Sequence, residues 1–600
     1  MTATIFDIET TAIDDWHTLR GLDKIHCIVT RTGKEVNTYS GDSIDEGVEA
    51  LRTADVIVGH NSIGFDIPAI KKLYPGWDRG HRFVGDTLVM ARLVWPNRKE
   101  LDYRIDDFPK NMIGSHSLKS WGVRLGENKA EYEGGWDEFT DEMLDYCVQD
   151  TLVTQRLWDE AHPLVSCESM LTEHRFAEIL SDQSVYGFRF DVEKASRLYA
   201  ELADKRDVLH KRLVDTFPPV HEEMKTPAYW FVGDKRYKTK AEAVKSNGLA
   251  KDVCRGPNKV KETPFNPDSR QQIANCLIDK YGWSPESFTP GGQPKVDETI
   301  LKAMPFDEAK LLVDYLTLSK RLGQLSEGNE AWLKLETGGR IHGFVNHNGT
   351  VTGRCTHRNP NMAQVPSCSA PYGEECRSLF MAPKGRMLVG VDASGLELRC
   401  LAHYLSRWDR GRYAEIICSG DIHTANQKAA GLETRDQAKT FIYGLIYGAG
   451  PQKVGSIVGG GVKDGQRMMS RFLTKIPALK RLRETIKETL KGRDHLIGLD
   501  GRKIPIRSNH SALNALLQSA GAVVMKRATI RANLYCGAQG LDVHQVAHVH
   551  DEIQYEAVEK DAQEVGNLAV CAIRDAGKDV DFRCPLDGEY KIGRTWAETH

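Results

Sequence analysis

The chemistry written most plainly into this chain belongs to two acids set far apart. The first closes Met-Leu-Val-Gly-Val-Asp at 387–392, where Leu388, Val389 and Val391 read as a short buried strand ending at Asp392. The second lies in Val-Ala-His-Val-His-Asp-Glu-Ile-Gln-Tyr-Glu at 546–556. Two apolar-alternating runs flank His550, Asp551 and Glu552 there, a pattern that predicts a β-hairpin with acids at its turn. A carboxylate at the tip of a buried strand is costly unless a cation or donors compensate it. Two such acids from distant segments suit Mg²⁺, which takes one or two carboxylates together with substrate phosphates. Either acid alone is equally well read as a surface residue.

The segment between them separates the two readings. Thr434 is a reasonable helix N-cap, and Arg435, Lys439, Tyr443 and Tyr447 follow at four-residue steps along one slowly drifting stripe. Ala438, Phe441, Ile442 and Leu445 lie on the other side and can pack. Two cations and two tyrosines on an exposed stripe suit a nucleoside triphosphate, with cations on phosphates and a ring against base or sugar.

A second acidic set opens the chain. Thr4–Ile8 reads as a strand bearing Asp7, with Glu9 on the same face; a buried run ends at His60-Asn61, and Asp66 follows at the entry to a helix. The amphipathic stretch 141–150 then places Tyr146 and Asp150 four apart on one helix face. Four carboxylates, Asp7, Glu9, Asp66 and Asp150, could hold two divalent metals of the kind that cleave phosphodiesters, with Tyr146 orienting the attacking water and Asn61 in support.

Asp-Ala-Ser-Gly-Leu-Glu-Leu-Arg at 392–399, Arg-Asp-Gln-Ala-Lys-Thr-Phe-Ile-Tyr-Gly at 435–444 and His-Asp-Glu at 550–552 resemble the three polymerase motifs of family A (Pol I-type) DNA polymerases. Their spelling is similar to that of the replicative enzymes of short-tailed phages. The N-terminal acids resemble the DEDD 3′→5′ proofreading exonucleases of the Tyr-containing type. The resemblance implies an α/β (α+β) chain: a ribonuclease-H-like exonuclease domain at 1–160, followed by a right hand. Thumb and connecting helices would occupy 161–335 with a basic insertion at about 217–264, the palm 336–425 and 499–600, and the fingers 426–498. Two Mg²⁺, with Mn²⁺ as substitute, would sit at Asp392 and Asp551, and two more at Asp7, Glu9, Asp66 and Asp150.

The same resemblance implies roles for further residues. Arg435, Lys439 and His423 would neutralise phosphate charge, and Tyr443 with Tyr447 would line the nucleotide. Glu397 would close the space beside the sugar 2′ position. Arg354, Asn361 and Gln364 would contact primer and template, Lys320 and Arg321 would meet the DNA backbone from a thumb tip, and Glu552 and His550 would flank the primer terminus. Asn514 and Gln518 share a helix face and could read minor-groove acceptors. The implied function is a replicative DNA-dependent DNA polymerase with proofreading, acting on primer-template DNA and deoxynucleoside triphosphates. A single-subunit RNA polymerase-like enzyme is the first rival, and Glu397 with the exonuclease motifs speaks against it. A nuclease with a non-catalytic polymerase half is the second, and the intact Asp392, Lys439, Tyr443 and Asp551 speak against that.

At 600 residues, 40% hydrophobic and 27% charged, the chain can bury several cores, about four domains at roughly 150 residues each. A net charge of -3 confines any nucleic-acid surface to local patches. The 13 cysteines include no C-x-x-C pair, which argues for reduced thiols. No basic flank precedes an apolar core at the N-terminus, and no run approaches the length of a membrane span. The expectation is a soluble monomer in the cytoplasm of an infected bacterial host.

The middle of the chain reads as long amphipathic helix from about 165 to 216, helices again at 269–281 and 307–327, a ligand-hugging hairpin at 340–366, basic fingers helices at 466–493 and a hairpin at 499–508. Between 232 and 263 nine Lys/Arg face four acids, a local excess of +5. In phage relatives a longer insertion here binds host thioredoxin. In this chain the candidates for an apolar patch are few (Tyr229, Trp230, Phe231 and Tyr237), and the composition suits an electrostatic DNA tether. Host thioredoxin and a phage helicase-primase are the protein partners the resemblance admits.

Overall fold

Ala-Thr-Ile-Phe-Asp-Ile-Glu-Thr forms β1 (Ala3–Thr10), the middle strand of a five-stranded sheet. The computed structural model describes residues 3–14, 19–80, 82–127, 132–247 and 252–600. Met1, Thr2 and Lys251, which the readings of the N-terminus and the basic insertion include, lie outside the described residues. Antiparallel to β1 runs β2 (Ile25–Thr32), followed outward by β3 (Glu35–Ser40). On the other side β4 (Val56–Gly59) and β5 (Phe83–Asp86) run parallel, joined through α1 (Asp66–Leu73) as parallel pairing requires. Then come α2 (Thr87–Val94), α3 (Asp141–Ala161), which packs across β1 and β2, and α4 (Cys167–Tyr186). The two-residue period of β1 buries Phe6 and Ile8 in one core with Ile57, Ile67 and Ile70. Asp7 and Glu9 take the other face, opposite Val29 and Cys27 in register.

Residues Met1–Asp191 and Leu335–His600 form one unit, and Val192–Lys334 another. The stretch 161–335, expected to hold the thumb and connecting helices, is therefore divided, with 161–191 in the first unit. Phe176 and Leu180 of α4 are buried together with Val345 and Cys355, so this helix is stitched into the C-terminal half.

The second unit begins with α5 (Val192–Thr216), then β6 (Val220–Pro227), β7 (Trp230–Val232), β8 (Lys235–Tyr237), β9 (Cys254–Arg255) and β10 (Asn258–Thr263). It ends with α6 (Arg270–Tyr281) and α7 (Asp307–Leu322). The basic insertion is folded: β6 pairs antiparallel with β10, and β9, β7 and β8 make a small sheet. Leu213, Phe217, Phe265, Ile273, Leu277, Leu312 and Tyr315 form its core.

In the C-terminal half β11 (Phe344–Asn346) pairs with β12 (Thr356–Arg358). There follow β13 (Arg386–Ala393), α8 (Leu396–Asp409), α9 (Ile422–Ala430), α10 (Arg435–Ile446), α11 (Val462–Lys475) and α12 (Pro477–Thr489). The hairpin β14 (His495–Ile497)–β15 (Lys503–Pro505) leads into α13 (Ala512–Ala538). The chain closes with β16 (Val543–Val549), β17 (Glu552–Val558), α14 (Ala562–Ala576) and β18 (Gly588–Gly593). One antiparallel sheet in the order β16-β17-β13-β18 gathers strands from across this half. Among the described residues no helix is long and apolar enough to cross a membrane.

Candidate active sites

Sheet register brings the two distant acids together. Asp392, near the end of β13, lies opposite Glu552, and Ala393 N–H donates to the Asp551 carbonyl at 3.1 Å. The turn between β16 and β17 holds His550 at φ +59°, and Asp551 follows it. Burial, then the charges of Asp551, Glu552 and Glu589, push the Asp392 carboxyl up to about 7. The Asp551 carboxyl is raised as well, chiefly by burial, with Glu397 adding and His550 and Arg354 opposing. Crowded carboxylates that resist ionisation are the electrostatic signature of a cation site, since a cation relieves the repulsion.

Glu552 departs from expectation. It begins β17 rather than sitting at the turn, and it is 7% exposed. Its Oε1 accepts from Trp596 Nε1 and from Gln554 Nε2 at 2.7 Å, its Oε2 pairs with His600 Nδ1 at 3.0 Å, and Arg377 lies 3.7 Å away. Burial alone would raise this carboxyl, but those partners hold it below its usual value. The acid expected to flank a primer terminus is consumed as an interior anchor of the strand beside Asp551.

The helix carrying the stripe is α10, capped as expected: Thr434 accepts from Gln437 N–H at 3.1 Å, and Ala438, Phe441, Ile442 and Leu445 are buried. Lys439 is exposed and has no ion-pair partner among the described residues. Arg435 pairs through Nε with Asp421 at 2.8 Å. Asp421 is also the N-cap of α9, accepting from His423 N–H at 3.0 Å, so one carboxylate positions both phosphate-facing candidates. His423 and Tyr443 lie 6.4 Å apart between ring centres, and Tyr443 feels the charges of Glu397 and Asp551. Glu397, in the first turn of α8, accepts from Tyr447 Oη at 2.6 Å and from Arg354 Nη2 at 3.0 Å. Buried side-chain atoms of His423 (Nδ1), Asn361 (Oδ1) and Asn514 (Oδ1) have no hydrogen-bond partner among the described residues. Gln518 is reached by Thr352 Oγ1 at 3.5 Å, and Gln364 ends a short 3₁₀ turn after Asn361.

Lys320 and Arg321 part company at the end of α7. Lys320 is exposed, whereas Arg321 is 5% exposed and donates to Gln324 at 3.0 Å, so it is corrected from a DNA-facing to an interior residue.

All six N-terminal candidates, Asn61 included, line one cleft of about 910 Å³. Asp66 is the first residue of α1 and 4% exposed; burial, then the charges of Asp86 and Asp150, push its carboxyl up to about 7. Asp7, Glu9 and the buried Cys147 offer ligand atoms within 4.8 Å of one another. Tyr146 packs near Tyr132 and Trp136, at ring distances of 5.9 and 6.5 Å. Asp86, not singled out in the sequence, caps α2 and accepts from Asn61 N–H at 2.9 Å and Ile63 N–H at 3.1 Å, locking the loop that precedes Asp66. His116, Arg92 and Arg358 also line the cleft and went unread. Only Asp86 had a legible signal, an Asp-Thr pair between a strand and a helix.

The sequence profile of DNA polymerase family A matches residues 244–598. The chain is 37% identical to the DNA-directed DNA polymerase of Escherichia phage T7 over 709 aligned positions, covering 99% of this chain and 100% of that one. The chain belongs to DNA polymerase family A. The DNA-directed DNA polymerase of Enterobacteria phage T3 is likewise 37% identical, with 97% of this chain and 98% of that one covered. The solved POL domain of Pol1 from M. smegmatis, in complex with DNA primer-template and dNTP, shares the fold at TM-score 0.74 and 16% identity, over 99% of this chain and 95% of that chain.

This polymerase is a DNA-directed DNA polymerase, as its phage relatives are. Family A polymerases depend on metal ions, and the donor set fits: hard carboxylate oxygens at Asp392 and Asp551, already crowded by like charge. The T7 alignment runs to 709 positions against 600 residues here, so the phage enzyme carries segments this polymerase lacks.

Proposed function

We propose that this polymerase extends a primer on a DNA template with deoxynucleoside triphosphates and edits the product with a 3′→5′ exonuclease in the same chain. The observation that carries the reading is the register that sets Asp392 beside Asp551, with Tyr443 of the cationic stripe within range of Asp551's charge. The M. smegmatis neighbour, described with primer-template and dNTP, supports the substrate class. In this reading residues 192–334 contain the thumb, 336–425 and 499–600 the palm, and 426–498 the fingers.

Asp392 and Asp551 would hold two divalent metals, Mg²⁺ with Mn²⁺ as substitute, and such ions would supply hydroxyl activation and charge neutralisation for phosphoryl transfer. Lys439 and His423 meet the triphosphate, and Arg435 joins them as its Asp421 pair opens to the competing phosphate. Tyr443 abuts the sugar, and Glu397, fixed by Tyr447 and Arg354, walls off the 2′ side. Glu552 acts by holding β17 in place. Arg354, Asn361, Gln364, Asn514, Gln518, His550 and Lys320 face DNA.

In the exonuclease cleft Asp7, Glu9, Asp66 and Asp150 would hold the metals, and Tyr146 would orient the attacking water. The phage relatives support replication of a phage genome in an infected bacterium. Primer extension with deoxy- and ribonucleotides in parallel is the test. DNA-templated extension restricted to deoxynucleotides is expected; no extension, or equal use of ribonucleotides, overturns the reading.

A further inference from the structure

We infer that the exonuclease cleft contains a mixed carboxylate–thiol cation site, Asp7–Glu9–Cys147, that takes a thiophilic divalent metal such as zinc or cobalt. The inference rests on the reading of Asp7 and Glu9 as cation ligands.

Cys147 follows Tyr146 on α3 and is fully buried. Its Sγ–H donates to Asp7 Oδ2 at 3.5 Å, and one ligand atom from each of the three residues lies within 4.8 Å of the others. The fold explains the grouping. Asp7 and Glu9 share the face of β1 whose register partners are Val29 and Cys27, and α3 packs Met143 and Cys147 against those same two residues. Asp7 also lines the cleft, which gives an ion a way in.

Ligand chemistry decides what such a set prefers. Mg²⁺ demands six oxygens in near-octahedral array, and a thiol in its shell is a poor ligand. Zinc accepts sulfur and carboxylate oxygen together, at about 2.0–2.3 Å and tetrahedral angles. Ligand atoms around such an ion stand about 3.5 Å apart, so small side-chain rotations close the present spacing. Binding forms a sulfur–metal bond, and the thiol proton leaves to solvent; nothing is oxidised or reduced. Asp7 is common to this site and to the proposed Mg²⁺ set. A thiophilic ion on Cys147 therefore removes Asp7 from hydrolysis, while Asp392 and Asp551 belong to a different sheet and its turn and keep extending primers.

The full-length chain titrated with Co²⁺ provides the test. A thiolate-to-cobalt charge-transfer absorption in the near ultraviolet is expected. It should vanish in Cys147→Ser and also in Asp7→Asn with Glu9→Gln, where the thiol is intact, and persist in Cys27→Ser. By equilibrium dialysis the Cys147→Ser chain should hold Zn²⁺ about tenfold or more weaker. A wild-type spectrum without the thiolate band, or a band unchanged in Cys147→Ser, overturns the inference. The underlying exonuclease reading is judged separately, by whether Mg²⁺-dependent hydrolysis is lost in Asp7→Ala with Glu9→Ala.

Discussion

Glu397 is held at two points, by the Tyr447 hydroxyl at 2.6 Å and by Arg354 at 3.0 Å, and a side chain so fixed can act as a wall. Glu397→Ala should therefore open the 2′ side and raise ribonucleotide use relative to deoxynucleotide by about tenfold or more. Single-nucleotide insertion kinetics measure it, and unchanged discrimination refutes the gate. Tyr447→Phe should give a smaller change in the same direction, because Arg354 still restrains the acid. At this scale the sequence was legible wherever a residue ends a strand or starts a helix, as Asp392, Asp66, Glu397 and His423 do. Glu552 was not, because its partners Trp596, His600 and Arg377 come from elsewhere in the chain and only folding reveals that they consume it. Asp421 and Cys147 were missed for the same reason: Arg435 and Asp7, the side chains they meet, lie elsewhere in the chain.

Helix α4 carries a buried charge whose partners come from three other segments. Glu173 accepts from Lys526 and from Arg502 at 2.7 Å and pairs with His347 Nδ1 at 2.8 Å, all of them nearly inaccessible to water. Arg502 keeps a second carboxylate, Asp500, whereas Lys526 has Glu173. Glu173→Ala should cost on the order of 3–5 kcal/mol, because it strands a buried ammonium. Adding Lys526→Met should recover much of that loss; a double variant no more stable than the single one in denaturant unfolding would count against this account. The pH dependence follows from the same contacts. Burial pushes His347 down to about 4, so the unfolded chain takes up that proton first, and stability drains as pH falls from about 6.5 to 4. Burial would raise Glu173, but Lys526, Arg502 and His347 hold it well below the usual range, so its contribution also belongs to neutral pH and fades in acid. Unfolding midpoints between pH 7 and 4 should fall, and less steeply in His347→Gln. Elements with a strong period or cap were readable, as the Thr434 cap of α10 shows. The small sheet β9-β7-β8 was not: its strands are two or three residues long, and β9 follows β7 by more than 20 residues.

For the molecule as a whole, the two proposed chemistries draw on separate segments, so they should come apart. Asp7→Ala with Glu9→Ala should abolish 3′→5′ degradation and spare primer extension, and Asp551→Asn should do the reverse; degradation of single-stranded DNA by the first variant would exclude the assigned cleft. The order of motifs along the chain was legible, but the division into units was not. Nothing in the amphipathic run from 165 to 216 marks that its first helix belongs to one unit and its second to another. The basic insertion raises the remaining question at this scale, whether it grips DNA by charge or serves as a seat for thioredoxin. Its aromatic residues are half-buried and used at home: Tyr229 and Phe231 meet edge to face at 4.9 Å, Trp230 pairs with Tyr237 in register, and Arg236 and Lys240 cover the Tyr229 and Trp230 rings. Lys235, Lys238, Lys259 and Lys261, by contrast, are exposed. A surface of that kind binds phosphates irrespective of base, each contact adding about 0.7–0.9 to the slope of log affinity against log salt. Replacing Lys235, Lys238 and Lys259 by Ala should shorten the product made per binding event, most visibly at moderate salt, and flatten the salt slope. Deleting 232–263 should do so more strongly. Product lengths under single-hit conditions, with and without thioredoxin, decide between the two roles: similar lengths support a tether built from this chain alone, and a large gain from thioredoxin rules it out.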